Sequence, residues 1–206
     1  MFNAFPDLER KGQQVLTAIL LTVVILTVSL SSYFWGREIL EKSRDQRNFQ
    51  EMETFVRNLN DNIKEVSRRG GRTEMTVDLP DGAEININEG PPGGMDNITL
   101  DFSVRGQMMA TGQDIAIVGS KGSETPIVYS PDVIVARSEG FDDFYSVKLK
   151  LYYKNSTVGG EPQSRIGIDA IGRRSSVGGT TDIIIQQGPR ENYNGFTVNK
   201  VEVRII

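Results

Sequence analysis

The sequence predicts an α+β protein, in which a long N-terminal α-helix is followed by an antiparallel β-sandwich or barrel head domain. Three observations predict it. Residues 13–36 are 24 consecutive residues without a charge. Further on, Phe49, Met52, Phe55 or Val56, Leu59, Ile63 and Val66 recur at steps of three and four, the apolar stripe of an amphipathic helix. From Arg72 onward, short alternating segments are separated by Gly- and Pro-rich turn signals.

The charge-free block comes first. Val15, Leu16, Ile19, Leu20, Val23, Val24, Ile25, Leu26 and Leu30 leave it no polar face, and its Thr and Ser residues can bond back to their own helix. About 20 apolar residues span a hydrocarbon core of about 30 Å. Tyr33, Phe34 and Trp35, the only Trp, stand at the far end, where an aromatic belt would lie. The core helix of a soluble domain rarely runs this long without a charge, so a membrane helix is expected. Arg10-Lys11 directly precedes the run, which favours a cytoplasmic N-terminus and places residues 37–206 outside. The run ends in Tyr33-Phe34-Trp35-Gly36-Arg37 and not in a small-residue cleavage site, so the helix is expected to remain in the mature protein.

Arg10-Lys11-Gly12, followed by Gln13-Gln14-Val15-Leu16-Thr17-Ala18 and the apolar helix, resembles the class III signal peptide of archaeal type IV pilin-like proteins, the group of archaellins and adhesive pilins. The resemblance covers roughly residues 9–40. It implies a leader, residues 1–12, cut by a membrane-embedded prepilin peptidase at Gly12–Gln13, with Lys11, Gly12 and Gln13 as the processing site. It also implies self-association, or association with related pilins, through the helix of residues 13–36. Bacterial pilins carry Glu at the fifth mature position; counted from Gln13, that position is Thr17.

Residues 37–69 contain neither Pro nor Gly, and Gly70-Gly71 is a helix stop with Arg68 and Arg69 in the last turn. A helix from Gln13 to about Arg68 would be roughly 84 Å long, far more than one bilayer. The stripe beginning at Phe49 is therefore expected to pack on the chain's own head, and residues 37–70 form an amphipathic continuation toward it. Residues 41–48 have no apolar side chain. They read equally as a solvated stalk or bend, or as a helix turn near lipid headgroups.

Residues 71–206 form the extracellular β-rich head. Alternation marks strands at 76–79, 84–87, 98–104, 114–118, 145–153, 165–168 and 196–205, and residues 181–187 form a further apolar strand. Pro80-Asp81-Gly82, Pro91-Pro92-Gly93-Gly94, Gly159-Gly160-Glu161-Pro162, Gly178-Gly179 and Asn194-Gly195 mark turns. Two sequons, at Asn97 and Asn155, would face outside, and the loop-like setting of Asn155 makes it the better glycosylation candidate.

The chain has no His and no Cys, which excludes His-based catalytic triads, Cys nucleophiles, His- or thiolate-ligated zinc, and disulfides. Oxygen-rich stretches at Asp78, Asp81, Glu84, Asn86, Asn88 and Glu89, and at Glu139, Asp142 and Asp143, do not match a calcium loop and read as solvated faces. No enzymatic activity, metal or cofactor is expected. A net charge of −4 without a basic cluster argues against nucleic acid. Two functions are compatible with these features. One is a structural or adhesive subunit of an archaeal cell-surface filament, held in the cell membrane before assembly. The other is a single-pass membrane-anchored extracellular binding module, or a minor pilin-like component of a secretion or adhesion machine.

Overall fold

The computed structural model describes residues 6–89, 96–118, 132–141, 144–153, 156–158, 161–193 and 196–206. It is an α+β arrangement of one long N-terminal helix, α1 (Pro6–Arg69), and a mostly antiparallel sheet. The chain divides into two compact units, Met1–Arg44 and Asp45–Ile206.

In the first unit the described residues are all helical. The uncharged stretch read as a membrane helix lies wholly within it.

In the second unit, α1 supplies residues 45–69 and the remainder is β1 (Arg72–Asn88), β2 (Asn97–Val104), β3 (Asp114–Val118), β4 (Asp132–Phe141), β5 (Phe144–Tyr153), β6 (Ser156–Val158), β7 (Glu161–Ala170), β8 (Ser175–Tyr193) and β9 (Phe196–Ile205). They form one sheet in the order β3-β4-β5-β2-β1-β8-β9-β7-β6. All neighbouring pairs are antiparallel except β7 and β9, because β9 enters between β8 and β7. β5 and β7, well separated in that order, nevertheless approach each other directly, so the sheet wraps around a single core.

Helix α1 contributes Met52, Phe55, Val56, Leu59, Ile63 and Val66 to that core, all buried and all on the predicted stripe, with Phe49 partly buried against it. The sheet contributes alternating residues: Ile98, Leu100, Phe102 and Val104 from β2, Val147, Leu149, Leu151 and Tyr153 from β5, and Val201, Val203 and Ile205 from β9. Phe49 and Phe102 meet ring to ring at 6.2 Å. One polar pair lies within this apolar set, where the Tyr153 hydroxyl donates to Asn60 Oδ1 at 3.0 Å. A buried Asn facing only hydrocarbon would cost on the order of 1–3 kcal/mol, so this bond favours one rotational setting of the helix against β5.

Helix α1 ends where Gly70, at φ 77°, takes the left-handed conformation and donates its N–H to Val66 O at 2.8 Å. Gly71 O then accepts the Gln187 N–H at 3.0 Å, tying the helix end to β8. At the other end of this unit Asp45 Oδ2 accepts the Arg105 N–H at 2.6 Å, just past β2.

Three strand expectations are corrected. The segments at 76–79 and 84–87 are one strand, β1: Pro80-Asp81-Gly82 is a bend with a register shift between Leu79 and Glu84. Gly178-Gly179, expected as a turn, lies inside β8 at the matching bend, with both glycines at positive φ. β4 was not expected; Val133, Ile134, Val135 and Ala136 are buried on both faces and do not alternate. The turn segments Pro91–Gly94, Gly159-Gly160 and Asn194-Gly195 lie outside the described residues, whereas Glu161-Pro162, expected as part of the same turn as Gly159-Gly160, lies in β7.

Two substitutions probe this core. Leu59 is fully buried at the centre of the stripe, so Leu59→Ala should destabilise the head by about 2–5 kcal/mol, read by denaturant unfolding of the detergent-solubilised chain. Asp101 stands beside Glu84 on β1 and Lys148 on β5, with Lys148 Nζ 3.5 Å from an Oδ1 that lacks a hydrogen bond among the described residues. Burial pushes its carboxyl above the usual range, Lys148 pulls it down and Glu84 pushes it up, and the net direction is upward. The folded state therefore binds this proton more tightly than the unfolded chain: the contribution is fully present below the unfolded pKa and is lost as pH rises through the folded value. Asp101→Asn should flatten this fall and stabilise the head at neutral pH relative to the parent, as measured by unfolding midpoints across a pH series.

Candidate functional site: an uncovered apolar helix

The feature that sets this chain apart from a self-contained globule is the N-terminal part of α1. Val15, Leu16, Ile19, Leu20, Leu21, Val23, Val24, Ile25, Leu26, Val28 and Leu30 are each 53–60% exposed. These residues fall on every side of a 3.6-residue helix, so the apolar surface is a full cylinder and not a stripe. Tyr33, Phe34 and Trp35 are exposed too, with Tyr33 and Phe34 in edge contact at 5.8 Å. By length and composition this helix can cross a membrane.

The three threonine hydroxyls within the cylinder are satisfied internally. Thr17 Oγ1 donates to Gln13 O, Thr22 Oγ1 to Ala18 O, and Thr27 Oγ1 to Val23 O, each at 2.8 Å. Each hydroxyl thus uses a carbonyl four residues back, and the helix closes its own backbone bonds, which is what a segment leaving water needs. The spacing of five between these threonines distributes them around the helix and leaves no polar face.

Of the processing-site residues, Lys11 and Gly12 are within α1 but their side chains lie outside the described residues; Gln13 is exposed. The first ion pair beyond the cylinder is Arg37 Nε to Glu41 Oε1 at 3.0 Å.

The glycosylation candidates separate. Asn97 is the first residue of β2, half-buried, in register with Asn88 on one side and Tyr152 on the other, and its Oδ1 accepts from Asn88 Nδ2 at 3.2 Å. Its side-chain oxygen is therefore held against β1. Asn155 lies outside the described residues.

The oxygen-rich stretch from Asp78 to Glu89 is spread along β1 and the residue after it. Asp78 accepts from Thr180 at 2.7 Å, while Glu89 accepts the Ala170 N–H at 3.0 Å and pairs with Arg174 at 2.8 Å. Among the described residues no group of three acidic side chains could hold a metal ion. Asp142 and Asp143 lie outside them.

Sequence reasoning missed two charge clusters on the sheet. Arg165 and Asp96 form a nearly buried pair at 3.2 Å, and Asp96 also accepts the Ile168 N–H. Lys200 lies 3.1 Å from both Asp169 and Glu191; burial opposes its charge, but the two carboxylates outweigh it and raise its pKa. No sequence signal marks either cluster, since the partners come from segments far apart in the chain: Asp96 precedes β2 and meets Arg165 on β7, while Lys200 on β9 lies between Asp169 on β7 and Glu191 on β8. Comparison with protein-family models, with curated proteins and with solved structures finds no match to this chain.

Proposed function

We propose that the chain is a type IV pilin-like subunit of an archaeal extracellular filament, structural or adhesive, assembled through its N-terminal helix. The observation that supports this most is the contrast along α1. Its apolar side chains between Val15 and Leu30 are more than half exposed, whereas those between Met52 and Val66 are buried in the chain's own head. The second set needs no partner. The first needs lipid, copies of the same helix, or both.

The sequence supplies the order of events in this reading. Arg10-Lys11 holds the leader in the cytoplasm while the helix spans the membrane and the head is exported. Prepilin peptidase then hydrolyses Gly12–Gln13, removing the charges that fix the helix in place. Lipid tails are as apolar as Leu, so transfer from bilayer to filament is driven by side-chain packing between helices and by excluding water once outside. The β-branched Val, Ile and Thr side chains suit this, because their restricted χ1 leaves little rotamer freedom to lose.

One observation favours a minor component, or a membrane-anchored module, over a main structural subunit. Residues 41–48 have no apolar side chain, and the ion pairs Arg37–Glu41 and Arg47–Glu51 lie within one helix. This part of α1 offers other copies little apolar surface.

N-terminal analysis and fractionation test the proposal together. The mature protein is expected to begin after Gly12, and Gly12→Trp to leave the leader attached and the protein in the membrane fraction. A mature chain still beginning at Met1 would refute the pilin reading. Recovery of processed protein in sheared filaments supports the main-subunit form, and its confinement to membranes the minor-component form.

A further inference from the structure

Cleavage at Gly12–Gln13, the reading proposed above and the one on which this inference rests, makes Gln13 the first residue of the helix. We infer that this terminal glutamine cyclises to pyroglutamate, so that Gln13 is a modification site and the assembled helix begins with a neutral lactam instead of an ammonium.

Charge is the first consideration. No side chain between Gln13 and Gly36 is acidic or basic, so a free α-ammonium would be the sole charge of this stretch. The first carboxylate after it, Glu38, lies about 37 Å further along the helix, too far to neutralise it. The four residues after Gln13 are Gln14, Val15, Leu16 and Thr17, and the Thr17 hydroxyl is committed to Gln13 O at 2.8 Å. An ammonium there would meet the positive end of the helix dipole and would have to be desolvated wherever the apolar cylinder is buried. Both effects disfavour the charged amine and favour the free base, the form that attacks.

The residue at this position can remove the charge itself. The α-amine nitrogen attacks Cδ of its own side-chain carboxamide, a new N–Cδ bond closes a five-membered ring, and the bond from Cδ to the amide nitrogen breaks. One amine proton leaves with that nitrogen as ammonia. Nothing is oxidised or reduced, and no co-reactant enters. The lactam keeps one N–H and one carbonyl, both neutral. Gln13 is exposed, so the helix leaves room for the ring to close.

Protein from native membranes and from the sheared extracellular fraction tests this. Free amines are acetylated first, so that no ring can form during handling, and the chain is then cut at Arg37 and read by mass spectrometry. The peptide Gln13–Arg37 is expected to be lighter by one ammonia and to carry no acetyl group. Edman degradation of unacetylated material should be blocked until pyroglutamyl aminopeptidase is added, after which the first cycle reads Gln14. Gln13→Asn keeps a carboxamide but cannot close the five-membered ring, and its peptide should be acetylated at full mass. An acetylated wild-type Gln13–Arg37 peptide overturns the inference and leaves the processing reading standing. A chain that still begins at Met1 overturns both.

Discussion

A helix closes its own backbone hydrogen bonds, and for that reason it can pass from one apolar environment into another, or into water, without a break in structure. Helix α1 depends on this property. From Met52 to Val66 its apolar side chains are enclosed by the head's sheet, and from Val15 to Leu30 the same kind of side chain is uncovered. Between them, Glu41 to Asn48 carries no apolar residue yet remains helical. Exposed pairs such as Arg47–Glu51 at 2.7 Å are screened by water, so continuity rests on the backbone ladder itself.

The head is organised around its segment of that helix. The sheet bends where Pro80-Asp81-Gly82 in β1 meets Gly178-Gly179 in β8, and strands from both arms then bury residues against the same helix face. Polar groups fix what apolar packing leaves free. The Asn60–Tyr153 bond selects one helix rotation, the Asp45–Arg105 bond ties the helix to the end of β2, and the Gly70-Gly71 terminus is joined to Gln187. Apolar burial supplies most of the driving force, whereas these few directional contacts decide among arrangements that would bury similar area.

The helix was readable because both of its patterns are local. A run without charge and a three-four stripe need no knowledge of distant residues, and Met52, Phe55, Val56, Leu59, Ile63 and Val66 are all buried as their spacing predicts. β2 and β5 were readable for the same reason, since each buries one face. β4 was missed because Val133 to Ala136 is buried on both faces, which erases alternation. Pro80-Asp81-Gly82 misled because turn chemistry also serves a bend within one strand. The parallel β7–β9 pairing and the Lys200 and Arg165 clusters have no local signature: periodicity says which face a residue occupies, not which strand it will meet. For the candidate site, composition marked the apolar residues, and what the structure adds is that each of them is exposed.

The two apolar parts of α1 thus differ: the chain's own sheet covers the second and leaves the first uncovered. The chain lacks Cys, so single introduced cysteines can report on this without background. Leu20→Cys, Ser43→Cys and Ile63→Cys variants, treated in intact membranes with a membrane-impermeant maleimide, provide the measurement. Labelling should be rapid at position 43, should occur at 20 only after detergent removes the lipid and disperses the copies, and should occur at 63 only after the head is unfolded. Labelling of position 20 in intact membranes as fast as position 43 would contradict this division of α1.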